Sequence, residues 1–290
     1  PDEGWWVEIA REGQWIAVRV PDEVVSVRAN GYRIGSVDLE DSEKVLHSPN
    51  VVTFAQEKGW YDPAEGPFHF AKAYGDPWVF DDYNVLRHTL VEERLGQMGK
   101  ISPKDLMETL RWNYEDTEYY VENEETGSPW EGDYRTIARL NTEISAVVEL
   151  RKDLPREVGS LIWWCMNTPK TGVFLPWYFG TTAFPEAFAK GTDRFDNESA
   201  YWRFFELKML AHQNYKVAFP LLDPLWNEME KTALEKQGEI EKQALALYKE
   251  KGPGEACAFL TNYSNSLAEE AFEKAEELIT EIKTQGWFQE

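Results

Sequence analysis

A chain of 290 residues with 42% hydrophobic and 14% aromatic content has length and apolar mass for one large folded domain or two ordinary ones. Its formal net charge of -22 excludes nucleic acid and anionic membrane as natural partners, since both reward positive surfaces. Two cysteines, Cys165 and Cys257, and four scattered histidines give neither a disulfide framework nor zinc-ligand spacing, so no metal or organic cofactor is implied.

Taken in chain order, "WWVEIA" and "WIAVRV" alternate around "REGQ", the pattern of a β-hairpin, and "VVSVRA" after Pro21-Asp22 reads as a third strand. A short helix is expected from "NVVTFAQEKG", starting after Ser48-Pro49 and ending on Gly59. "YNVLRHTLVEERL" has helical apolar spacing. "SPKDLMETLRWNYE" offers Ser102 as N-cap, Pro103 at the first helical position and an acid in the first turn. The acidic stretch 122–133 reads as a loop.

Three strand-like runs follow: "TIARLNTEISAVVELR", "GSLIWWCMN" and "GVFLPWYFGTT". The second is continuously apolar and is expected to be covered on both faces. Beyond Ser199 the pattern is helical. "AYWRFFELKMLAHQNYKVAF" runs up to Pro220, and long helices over 225–251 and 264–283 are separated by "GPGEACAFLTNYS". Strands and helices in blocks predict α+β architecture rather than a βαβ-wound sheet. No run is apolar enough to span a membrane.

No GxSxG elbow, phosphate loop or dinucleotide fingerprint occurs. Seven phrases in order carry more. They are "EGWWVEIA…QWIAVRVPDEVVSVRANGYRIGSVDLED", "SPNVVTFAQEKGWYDP", "FHFAKAYG", "IARLNTEISAVVELRKDLPREVGSLIWW", "FLPWYFGTT" with "FPEAF", "SAYWRFFELKMLA" and "FLTNYSNSLAEEA". Together they resemble the C-terminal two-thirds of the cysteine dipeptidases of the N-terminal-nucleophile (Ntn) hydrolase superfamily. Penicillin V acylase and choloylglycine hydrolase are relatives of that group.

The resemblance implies a four-layer αββα sandwich, incomplete in this chain, with a helical C-terminal extension. Residues 1–220 would belong to the sandwich, with a helical insertion at about 50–120. Residues 221–290 would form a helical hairpin packed on it. In such enzymes an N-terminal Cys attacks the amide carbonyl while its own α-amino group, of ordinary pKa near 8, accepts the proton. Pro1 is no nucleophile, so the resemblance places the thiol on a missing segment upstream. The chain alone is then expected to be inactive. The substrate would be a dipeptide, the compartment cytoplasmic by default, and a homo-oligomer is open. Two rival readings are an amidase or acyltransferase for a non-peptide amide, and a non-catalytic acidic interaction module.

The resemblance also nominates residues. Asn30 has two readings: Asn-Gly between strands signals a type I′ turn, whereas the family pattern makes its amide an oxyanion donor. Arg139 is expected inside an apolar strand, either ion-paired with an acid such as Glu143 or facing the nucleophile, with Arg135 as alternative. Arg28 and Arg33 flank Asn30 and could clamp a dipeptide carboxylate, or simply face solvent. Tyr32 could line a pocket or serve the core. Asn262–Asn265 reads as a helix N-cap, and Trp163, Trp164, Trp177 and Tyr178 as core.

Overall fold

The computed structural model describes residues 3–76 and 82–287. Pro1, residues 77–81 of the expected helical insertion, and the last residues of the expected hairpin, 288–290, lie outside that range. The chain divides into two compact units, Pro1–Lys100 and Ile101–Glu290. The boundary expected at 220/221 falls inside one continuous helix. Helices and two small antiparallel sheets make the chain α+β.

In the first unit, β1 (Gly4–Ile9) and β2 (Trp15–Val20) form the expected hairpin, with Ile9 opposite Trp15. Its turn uses left-handed backbone at Glu12 (φ 57) and Gly13 (φ 77), conformations that reverse the chain tightly. The third strand is not Val24–Ala29. Residues 21–44 run irregularly, and β3 (Val45–His47) takes the free edge of β2. The ladder chooses by burial: Val45 is buried against Ile16, Ile34, Val51 and Phe70, whereas Val24 is 52% exposed. Alternation permits a strand, but apolar burial stabilises one. Helix α1 (Val51–Glu57) starts and stops as expected, Gly59 adopting φ 69 beyond its end. Helices α2 (Phe70–Tyr74) and α3 (Asp82–Gly96) follow.

The second unit opens with α4 (Pro103–Leu110), whose capping box is complete: Ser102 Oγ accepts from Asp105 N, and the Asp105 carboxylate accepts from Ser102 N. Strands β4 (Ile144–Leu150), β5 (Ser160–Met166) and β6 (Leu175–Tyr178) form the second sheet in that order. Short helices α5 (Arg156–Gly159) and α6 (Glu186–Ala189) punctuate it. β5 is covered on both faces, but unequally. Leu161, Trp163 and Cys165 are fully buried with Tyr178, whereas Trp164 and Met166 are half-buried against the helical side.

Three long helices close the unit: α7 (Ala200–Gln213), α8 (Tyr215–Lys251) and α9 (Pro253–Trp287). The expected break at Pro220 does not occur. The helix is interrupted earlier, at Asn214 (φ -147), and α8 carries Pro220 and Pro224 within it. The expected loop "GPGEACAFLTNYS" is helical from Pro253 onward, because Gly252 at φ 91 makes the whole turn alone. Proline suits the first turn of a helix, where its missing N–H is unneeded. Asn262–Asn265 is therefore helix interior and not an N-cap, and Ser264 is fully buried.

Candidate functional site

The loop carrying Asn30 is pinned to the end of β1. The Glu8 carboxylate accepts from Arg33 N (2.6 Å) and Ile34 N (3.1 Å), and the Tyr32 hydroxyl donates to Ile9 O (2.7 Å). Burial raises the Glu8 carboxyl above its ordinary range, against the lowering pull of those two N–H groups. Neither flank of Asn30 is a strand, and left-handed backbone falls on Gly31 alone (φ 103). A type I′ turn needs it at both central residues, so the hairpin-turn reading is overturned.

The Asn30 side chain is exposed and its Oδ1 accepts from Arg87 Nη2 at 2.8 Å. Arg87 also donates to Asn84 Oδ1. A guanidinium has no acceptor, so it fixes which end of the carboxamide it meets. The Asn30 NH₂ is then the end left to donate. Asn30 and Tyr32 border a cavity of about 610 Å³ with Arg11, Lys72, Tyr74 and Asp76. Tyr32 serves the core as well, its ring lying edge-on to Phe70 at 5.5 Å. Arg28 and Arg33 do not line this cavity. The exposed Arg28 lies 4.8 Å from the Trp6 ring and donates to Val27 O. Arg33 is half-buried and reaches Asn84 O.

In the second unit, Arg139 is not in a strand, because β4 begins only at Ile144. Residues 136–138 are captured by the loop instead. Asn113 Nδ2 donates to Thr136 Oγ1 (2.8 Å) and Ala138 O (2.9 Å), Trp130 Nε1 donates to Ala138 O (2.7 Å), and Ala138 N donates to Trp112 O (3.1 Å). With those backbone groups satisfied, no strand partner is required. Arg139 is half-buried, and among the described residues it has no ion pair, so the expected pairing with Glu143 is absent. Arg139 and the exposed Arg135 border a cavity of about 530 Å³, together with Glu143, Tyr201 and Lys208.

Neither cysteine is poised as a nucleophile. Cys165 is fully buried, and burial pushes its thiol far up. The half-buried Cys257 is also pushed up by burial, helped by Glu157. Among the described residues, no group of three His, Cys, Asp or Glu is placed to hold a metal ion, and no helix is long and apolar enough to cross a membrane. Trp163, Trp177 and Tyr178 are core as expected, with Trp164 half-buried.

Sequence reasoning passed over three residues that shape these sites: Glu8, Arg87 and Lys208. Glu8 and Arg87 act across long chain separations, so no local pattern marks them. Lys208 does carry a signal, because it stands in the apolar stripe Phe204, Leu207, Lys208, Ala211 of α7.

The chain belongs to peptidase family C69, a cysteine-peptidase family of the Ntn type, and the match covers residues 1–227. It is 29% identical over 210 residues to a probable dipeptidase of Salmonella dublin, covering 65% of this chain and 47% of that protein. A probable dipeptidase of Latilactobacillus sakei is 24% identical over 310 residues, covering 98% of this chain and 62% of the relative. Dipeptidase A of Lactobacillus helveticus is 22% identical over 240 residues, covering 77% of this chain and 50% of the relative. The chain spans about half the length of the curated relatives it matches.

Proposed function

We propose that this chain is the C-terminal portion of a cysteine dipeptidase whose nucleophile lies on an upstream segment outside these 290 residues. Family membership and the dipeptidase names of its relatives support the reaction class. Two small sheets flanked by helices suit an incomplete αββα sandwich. The observation that carries the reading is the Asn30 amide, turned by Arg87 so that its NH₂ can donate.

In this reading the thiolate adds to the scissile carbonyl, and its carbonyl carbon becomes tetrahedral with negative charge on oxygen. The nucleophile's α-amine takes the thiol proton and returns it to the leaving amine. Asn30 donates to the oxyanion without adding charge, an interaction of about 3–4 kcal/mol when preorganised. Arg139, with Arg135 as its alternative, supplies a cation for the substrate; Arg28 and Arg33 are held by contacts of their own. The tetrahedral adduct then collapses, breaking the C–N bond, releasing the C-terminal amino acid and leaving a thioester, which water cleaves to free the N-terminal amino acid and the thiol.

The test is reconstitution. The 290-residue chain is assayed alone and with the upstream segment, against a dipeptide panel, penicillin V and a glycine-conjugated bile salt. Dipeptide cleavage only by the mixture is expected. Turnover by the chain alone removes the external nucleophile, and preference for penicillin V or bile salt makes it an amidase of another class.

A further inference from the structure

Lys208 is 4% exposed, in the middle of α7. Its Nζ donates to Asn167 Oδ1 at 3.0 Å and lies 4.2 Å from the centroid of the Phe205 ring. Neither partner carries charge, and among the described residues Lys208 forms no ion pair. Burying an ammonium is costly. Burial lowers its pKa, and Glu143 on the same cavity opposes that shift without forming an ion pair with it.

The surroundings hold this cation in place. Asn167 is 1% exposed with left-handed backbone (φ 60), its N donates to Glu143 O (2.7 Å), and its Nδ2 donates to Tyr201 O (3.2 Å). Its carboxamide is thereby oriented, with Oδ1 toward the ammonium. An ammonium has three donors and Asn167 uses one. Lys208 borders the same cavity as Arg139, which also lacks an ion pair among the described residues. Among the described residues, the carboxylates on that cavity are Asp133 and Glu143.

We propose that this cavity binds a small-molecule carboxylate, held by Lys208 and Arg139. An arginine fork meets a carboxylate edge-on and a lysine adds a point charge. The site is inferred from the cavity alone; that its ligand is the C-terminal carboxylate of a dipeptide rests on the function proposed above. A dipeptide also has an α-ammonium, which the acids on the same cavity suit. Lys208 is then a specificity residue that selects free carboxyl termini.

The experiment titrates Ala-Ala and Ala-Ala amide into the 290-residue chain, following the lysine side-chain resonances by NMR. The expected result is a saturable shift of the Lys208 signal with Ala-Ala and none with the amide, while calorimetry shows Ala-Ala affinity weakened about tenfold in Lys208→Met and Arg139→Gln and less in Arg139→Lys. Ligand-free Lys208→Met should melt no lower than the parent, because it loses a buried charge whose cost Glu143 offsets only in part. Equal binding of the amide, no shift at Lys208, or unchanged affinity in Lys208→Met overturns the proposal.

The complete enzyme separates the two readings. Lys208→Met there should raise KM for Ala-Ala about tenfold while kcat holds. An unchanged KM overturns the carboxylate site and leaves the dipeptidase standing. A parent enzyme that cleaves no dipeptide sinks the dipeptidase, and the NMR titration then judges the carboxylate site by itself.

Discussion

Arg87 Nη2 stands 2.8 Å from Asn30 Oδ1, and this contact decides which end of the Asn30 carboxamide is offered outward. The pair joins a loop residue to a residue of α3, so the amide is oriented by an element far away in sequence.

If Asn30 serves the oxyanion, Asn30→Asp in the reconstituted enzyme should lower kcat by roughly 10²–10³ while KM moves little. Arg87→Met should lower kcat by about tenfold, at the lower end of what losing such an orienting partner costs. Steady-state kinetics on a dipeptide measure both, and a kcat unaltered in Asn30→Asp refutes the role.

Arg111 and Glu230 form a buried pair in the second unit. Arg111 Nη1 donates to Glu230 Oε2 (2.8 Å), its Nη2 to Glu230 Oε1, and its Nε to Pro169 O (2.8 Å), while Glu230 Oε1 accepts from Phe174 N (2.7 Å). Glu230→Ala should cost about 3–5 kcal/mol by stranding a buried guanidinium, and the double change Arg111→Met with Glu230→Leu should cost much less. Denaturant unfolding of the three proteins checks this.

The two thiols should differ in access, not in activation. Cys257, half-buried, should react slowly with a thiol reagent at neutral pH, and Cys165 only after unfolding. Cys165→Ala should leave dipeptide turnover intact once the enzyme is reconstituted. Mass spectrometry of modified peptides and the same kinetic assay measure the outcome, and rapid native labelling of Cys165 would contradict it.

Glu8 should leave a mark on stability against pH. Its folded pKa is raised from the ordinary 4.5, chiefly by burial, so the folded state holds the proton more tightly than the unfolded state. The stabilisation is present below pH 4.5 and is lost as pH rises through the folded value. Glu8→Gln should flatten that part of the curve, since Gln keeps an acceptor for the Arg33 and Ile34 N–H groups without titrating. Urea unfolding from pH 4 to 7 tests the sign; a slope unchanged by the substitution counts against it.

Much of the local structure was legible. Alternation around "REGQ" marked the β1–β2 hairpin, Ser102-Pro103 with Asp105 marked the start of α4, and the apolar run at 160–166 marked β5. Each signal lies within a few residues of what it specifies. Two others failed because the deciding partner is distant: Val24–Ala29 alternates well but Val45 fills the core beside β2, and Arg139 sits in a segment that Asn113 and Trp130 hold out of the sheet. A third failed locally, because Gly252 turns the chain so tightly that Pro253 already begins α9.

The candidate residues divide in the same way. Residue type together with the family resemblance nominated Asn30, Tyr32, Arg135 and Arg139 as positions worth asking about, and all four lie within the matched residues 1–227. Which way the Asn30 amide points, that Arg139 has no ion pair among the described residues, and that Lys208 is buried beside it on one cavity were decided by tertiary structure. The reason is physical. Periodicity and capping are local free-energy preferences written in neighbouring residues, whereas the orientation of a carboxamide and the cost of a buried charge depend on groups that only folding brings within a few ångströms.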